Sequence, residues 1–131
     1  MFRRTLWIVS LLAALVVPSL GETAAELAAQ GDALFEEIWV TQYTPSVAAE
    51  LQRMLERAIE LYEQALAQDE NYAHALNMLS RCYYTLADIF LPEKEKADVH
   101  VKGQEYGERA LRADPEFVRV EKEKGFVEAV R

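Results

Sequence analysis

His74, Asn77, Arg81 and Tyr84 recur at i, i+3, i+7 and i+10, a spacing that places them along one strip of a helix. These are groups that hold a ligand. The planar guanidinium of Arg81 can fork onto a carboxylate, while the imidazole, amide and phenol beside it supply further donors and acceptors. The same arginine is equally able to pair with a nearby glutamate, as surface ion pairs do. Catalysis asks for more than this. His74 and His100 lie 26 residues apart and Cys82 is the lone cysteine, so no metal-ligand spacing exists. There is no phosphate-binding glycine loop and no nucleophile elbow. The carboxylates are spread over helix faces, and none is marked out as an acid–base pair. The strip therefore predicts a non-enzymatic binding surface that uses neither metal nor cofactor.

The strip needs a helix, expected from about Asn71 to Phe90. Leu76, Leu79, Tyr83 and Leu86 form one apolar seam of it, and Ala75, Met78 and Cys82 another. A helix apolar on most sides belongs mid-bundle, with Cys82 as a small core residue. A first helix is expected over Ala24 to Ile38, with Leu27, Gly31, Leu34, Phe35 and Ile38 on one face. Gly31 costs about 1 kcal/mol there unless a neighbouring helix approaches closely. The segment Trp39 to Tyr43 breaks the pattern, and its two aromatics read either as an anchor for a partner or as packing. The second helix is expected from Thr44-Pro45, with Thr44 as cap, to Gln68. Its apolar stripe is Leu51, Met54, Leu55, Ala58, Leu61, Tyr62 and Ala65.

Pro92 opens the fourth helix, whose inner face is Val99, Gly103, Tyr106 and Ala110, and Asp114-Pro115 ends it. Glu93-Lys94-Glu95-Lys96 reads as a solvated first turn. Beyond Phe117 a further helical segment is expected, with a break near Gly125. The apolar set Phe126, Val127 and Val130 then has no visible partner in the sequence, which predicts further repeats beyond Arg131 if the chain continues and self-association if it stops there. With no strand pattern anywhere, the fold class is all-α.

Met1 to Gly21 carries Arg3 and Arg4, then a nearly unbroken apolar run from Leu6 to Val17, then small residues before Glu22. That is the layout of a cleavable signal peptide, the run being short for a membrane span, with an uncleaved N-terminal anchor as the alternative. It predicts a periplasmic protein comprising residues 22–131, with no cysteine near the cut to carry lipid. Without Arg3 and Arg4, 12 basic side chains face 22 acidic ones, and net charge moves from −8 to −10. Such a chain is repelled by nucleic acid and anionic lipid. Within residues 22–131, Arg57–Tyr72 aligns without gaps on Lys102–Phe117, so that Glu-x-Ala-Leu and Asp-x-x-aromatic recur 45 residues apart. A fixed period of this order marks stacked helix pairs, which present binding surfaces.

Ala75-Leu76, Leu79, Ser80 and Tyr83 resemble the first helix of a tetratricopeptide unit. Ala58, Tyr62 and Ala65 resemble the second helix of the unit before it. The period of 45 exceeds the usual 34 or so, and the extra residues sit around Phe90 to His100 and after Trp39. Pro92-Glu93-Lys94, Lys96-Ala97, Lys102-Gly103, Glu105-Tyr106, Ala110-Leu111, Asp114-Pro115 and Phe117 resemble the TatT family of bacterial TRAP (tripartite ATP-independent periplasmic) transporters. Gly125 to Val130 looks like that family's next segment. The resemblance implies an exported, oligomeric protein of tetratricopeptide-like helical hairpins, here an N-terminal portion incomplete at its C-terminus. Its partner would be the transporter's periplasmic solute-binding component. The alternative is a generic tetratricopeptide scaffold of the cell envelope, with His74, Asn77, Arg81 and Tyr84 on its concave face.

Overall fold

A computed structural model describes the backbone of residues 21–129 and the side chains of residues 21–125. The signal-peptide reading and the Phe126, Val127 and Val130 face fall outside the residues so described. The described chain is all-helical: α1 (Ala24–Val40), α2 (Ala48–Gln68), α3 (Ala73–Thr85), α4 (Glu93–Ala113) and α5 (Pro115–Ala129). Helix, with no strand, accounts for 85% of it. None of the described helices is long and apolar enough to cross a membrane.

Local chemistry sets the boundaries. Thr23 caps α1 by accepting from Glu26 N–H at 3.1 Å, which satisfies one orphan donor of the first turn. The second helix starts at Ala48 rather than at Thr44-Pro45. The Thr44 hydroxyl pairs with Ser46 Oγ at 3.0 Å, and Val47 N–H bonds back to Thr44 O at 3.1 Å. A turn therefore takes residues 44–47 before the helix begins. At the end of α3 the ladder widens into a π-helical turn, Leu86–Phe90, closed by Leu91 N–H onto Leu86 O at 3.1 Å. The expected break at Gly125 is absent, and α5 runs through it. Nothing lies within 4 Å of a Cβ built at Gly125, so no neighbour forces the backbone out of the helix there.

Consecutive helices pack as antiparallel hairpins. Gln68 at the end of α2 donates to Glu22 O, just before α1, at 2.7 Å. In the second hairpin Asp88 beyond α3 meets His100 early in α4 at 2.6 Å. α3 is central, touching α1, α2, α4 and α5, as its two apolar seams require. The core is built from Leu27, Phe35, Leu55, Ala58, Tyr62, Leu79 and Cys82, all nearly or fully buried. The inner residues expected on α1 to α4 face this core, with Leu34, Met54, Val99 and Tyr106 only partly covered.

The sequence repeat has a structural counterpart at two junctions. Asp69 ends α2 and Asp114 ends α4, each with extended backbone (φ −143° and −157°). Their N–H groups close onto Ala65 O at 3.0 Å and Ala110 O at 2.9 Å. Both alanines are fully buried. The aromatic three residues on is Tyr72 in one case and Phe117 in the other, and both rings meet His74.

Candidate functional site

The inner face of α3 is organised around a carboxylate on α1. Gly31 is buried beneath the ring of Tyr62, so α2 approaches α1 closely enough for the Tyr62 hydroxyl to donate to Asp32 Oδ1 at 2.6 Å. His74 Nε2 lies 2.9 Å from Oδ1 and 2.8 Å from Oδ2 of the same aspartate. An ionised carboxylate only accepts, so Nε2 carries the proton in this contact. Burial works to raise the Asp32 pKa, but hydrogen bonds from His74 and Tyr62, with the charges of His74 and Arg81, bring it below its ordinary value. Burial first, then the bond to Asp32, drive the Tyr62 phenol far above its usual range. The edges of Tyr62, Tyr72 and Phe117 surround the His74 ring at centroid distances of 6.4, 6.1 and 5.9 Å.

Arg81 lies two turns further along α3. Its guanidinium sits 5.1 Å from the centre of the Phe35 ring, a cation–π contact, and Nη1 reaches Met78 Sδ at 3.8 Å. Among the described residues no carboxylate lies within ion-pair distance of it. The surface glutamate pairing that was one reading of this residue is therefore not among the contacts described. Arg81 and Asn77 instead border a cleft of about 430 Å³ whose far wall is α5, through Val118, Glu121, Lys122 and Lys124. Glu121 is held by Lys124 at 3.2 Å. The cleft thus carries a surplus of positive charge on a chain whose net charge is −8.

Of the four strip residues, His74, Asn77 and Arg81 share the side of α3 that meets α1 and α5. Tyr84 turns towards α4. Its ring lies 3.4 Å from where a Gly103 Cβ would be and meets the His100 ring at 5.7 Å. Cys82, fully buried, has its thiol pushed up to about 12 by burial, with Asp32 adding to the rise and Arg81 opposing it. It has the environment of an inert core group. Among the described residues no three His, Cys, Asp or Glu side chains converge as metal ligands would.

Asp32, Phe35, Tyr62 and Phe117 complete the site and were not singled out from the sequence as binding residues. Gly31 was the available signal, since a glycine that invites close approach also brings its neighbour Asp32 against the next helix. Phe117 was visible as the repeat partner of Tyr72. His74 is engaged by Asp32, Asp32 by Tyr62 and Lys124 by Glu121, whereas among the described residues Arg81 and Lys122, which border the cleft, have no carboxylate partner.

Compared with protein-family models, with curated proteins and with solved structures, the chain matches none.

Proposed function

We propose that this chain is a non-enzymatic, exported helical-repeat protein of tetratricopeptide type whose inner face binds a partner protein through an acidic group. The observation that carries this reading is the cleft between α3 and α5, where Arg81, Lys122 and Lys124 gather in an otherwise acidic chain. A guanidinium resting 5.1 Å from the centre of the Phe35 ring, with no carboxylate partner among the described residues, keeps donors available for an acidic group, and part of its side-chain entropy is already lost before binding. The Asp32, Tyr62 and His74 bonds support the reading by fixing the wall beside it. The matching junctions at Asp69 and Asp114 support the repeat assignment.

The resemblance to the TatT family supplies the identity of the partner: the periplasmic solute-binding component of a TRAP transport system. The test is capture from periplasmic extract on the immobilised chain, followed by mass spectrometry, with Arg81→Ala run in parallel. An exported solute-binding protein recovered by the wild type and lost with Arg81→Ala is the expected result. Recovery of other envelope proteins with the same Arg81 dependence favours the general scaffold. Capture indifferent to Arg81 removes the assignment of this face.

A further inference from the structure

The turn between α2 and α3 faces the last turn of α4 across a polar cleft of about 540 Å³, lined by Glu70, Asn71, Arg109, Arg112 and Ala113. It shares no residue with the Arg81 cleft. Two chain segments bring its polar groups together. In the turn, Asp69 Oδ1 accepts from Asn71 N–H at 3.3 Å and Asp69 O accepts from Tyr72 N–H at 3.1 Å, which fixes the direction in which Glu70 and Asn71 leave the backbone. On α4 the two arginines are three residues apart and so project from one face of the helix. Arg109 is half-buried, and its guanidinium lies 5.3 Å from the centre of the Tyr106 ring, which itself stacks on Tyr83 at 5.6 Å. That cation is thereby held at the wall of the cleft.

Packing does not require these arginines. In the 45-residue alignment their counterparts on α2 are Gln64 and Ala67, and α2 closes with the same extended aspartate and no basic residue in its last turn. Nor do the arginines neutralise the carboxylate beside them. Among the described residues Arg109, Arg112 and Glu70 make no ion pair, with each other or elsewhere. Two cations and one anion thus face the same space without meeting, and a ligand that joins them must carry both signs. The two guanidiniums and the Asn71 amide are three donor groups. They match the three terminal oxygens of a phosphate monoester, where a carboxylate presents only two. Glu70 can accept only, which suits an ammonium. We propose that this cleft binds a small aminoalkyl phosphate ester, with its phosphate on Arg109, Arg112 and Asn71 and its ammonium on Glu70.

The test is titration calorimetry of the full chain with O-phosphoethanolamine, inorganic phosphate and L-glutamate. Expected is saturable binding of O-phosphoethanolamine, about tenfold tighter than either of the others. Arg109→Gln with Arg112→Ala places on α4 the residues that α2 carries. It should weaken O-phosphoethanolamine about thirtyfold with the helical circular dichroism unchanged. Lys94→Gln with Lys96→Gln, at the other end of α4, removes the same charge and should change nothing, as should Arg81→Ala. Glu70→Gln should weaken O-phosphoethanolamine about fivefold and leave inorganic phosphate no weaker, so that the preference between them shrinks. Inorganic phosphate bound as tightly as the ester, or equal losses from the two double substitutions, overturns the inference by showing attraction to bulk charge alone. Tighter binding of L-glutamate overturns it in favour of a carboxylate ligand. Binding to phosphatidylethanolamine vesicles without binding of the free ester overturns it in favour of a lipid surface, and no binding of any probe overturns it outright.

Discussion

The two hairpins end in near-identical junctions, at Asp69 and Asp114, yet are held together by different means. In the first, the glycine is on the leading helix: Gly31 of α1 lies under Tyr62 of α2, whose ring is fully buried. In the second, the glycines are on the returning helix: Gly103 and Gly107 of α4 lie against Tyr84 and Ser80 of α3. The 45-residue alignment pairs Tyr62 with Gly107, so the position that fills the first hairpin is empty of side chain in the second. α2 buries seven residues, five of them large, whereas α4 buries only Gly103 and Ala110. The first hairpin is a packed core tied by a polar network. The second is a backbone approach whose α4 aromatic lies at the rim: half-buried Tyr106 stacks at 5.6 Å on Tyr83, itself buried and donating to Glu63 at 2.9 Å. A repeat can thus conserve the path of the chain while shifting volume from one helix to its neighbour.

The largest effect that would sharpen this contrast is expected from truncating the two aromatics. Tyr62→Ala should cost about 3–5 kcal/mol in urea unfolding, the range for emptying a large aromatic site from a core. Tyr106→Ala, half-buried on α4, should cost about 1–2 kcal/mol. Equal losses would erase the distinction between packed core and rim. Next comes Gly31→Ala. The added Cβ would lie 2.8 Å from Tyr62 Cζ and 2.9 Å from Cε1, against a ring that Asp32 holds by its hydroxyl. Relief requires moving that ring and loosening its bond, for a net loss of about 1–3 kcal/mol despite alanine's better helix propensity. A neutral Gly31→Ala in the same assay would mean that the close approach is not essential.

The polar network gives the first hairpin a pH signature as well. The folded Asp32 pKa is lowered from its ordinary 3.8, so its contribution is present above that value and is lost as pH falls through the lower folded one. Asp32→Asn should flatten that part of the acid limb of a stability profile. The Tyr62 pKa is raised from its ordinary 10.0. Its contribution is therefore complete below pH 10 and declines as pH rises beyond it. Tyr62→Phe should remove this alkaline decline and cost about 1 kcal/mol at neutral pH, the worth of a typical hydrogen bond. An alkaline limb unchanged by Tyr62→Phe would assign the decline to another group, with Tyr83, also raised, the next candidate.

Most of the fold was legible because helical periodicity is a long-range signal: five helical segments and the mid-bundle place of α3 follow from where apolar residues recur. The boundaries that differ turn on single hydrogen bonds. The Thr44 hydroxyl chose Ser46 over a helix N–H, and the π turn after Thr85 widens one rung of the ladder with no proline or glycine to announce it. The site was half legible. Spacing put His74, Asn77 and Arg81 on one face, but Tyr84, at the same nominal angle, was claimed by the space over Gly103. Asp32 and Phe35 belong to another helix, and their meeting with His74 and Arg81 depends on how closely α1 and α2 approach, which periodicity does not encode.

The smallest expected effect is the sharpest test of the comparison. A Cβ at Gly107 would stand 3.0 Å from Ser80 Oγ and 3.7 Å from its Cβ, with no other atom within 4 Å. A hydroxyl is the free end of a side chain, and a helical serine can rotate it onto the carbonyl one turn back. The clash is thus relieved locally, where at Gly31 it falls on a locked ring. Against it stands a gain of about 1 kcal/mol for replacing a helical glycine by alanine. Gly107→Ala should therefore lie within about 0.5 kcal/mol of the wild type, measured under the same conditions as Gly31→Ala. A loss as large as that at Gly31 would mean that α4 is as tightly seated as α2. The bare Gly107 would then be a packing requirement of the second hairpin, and the two halves would be alike after all.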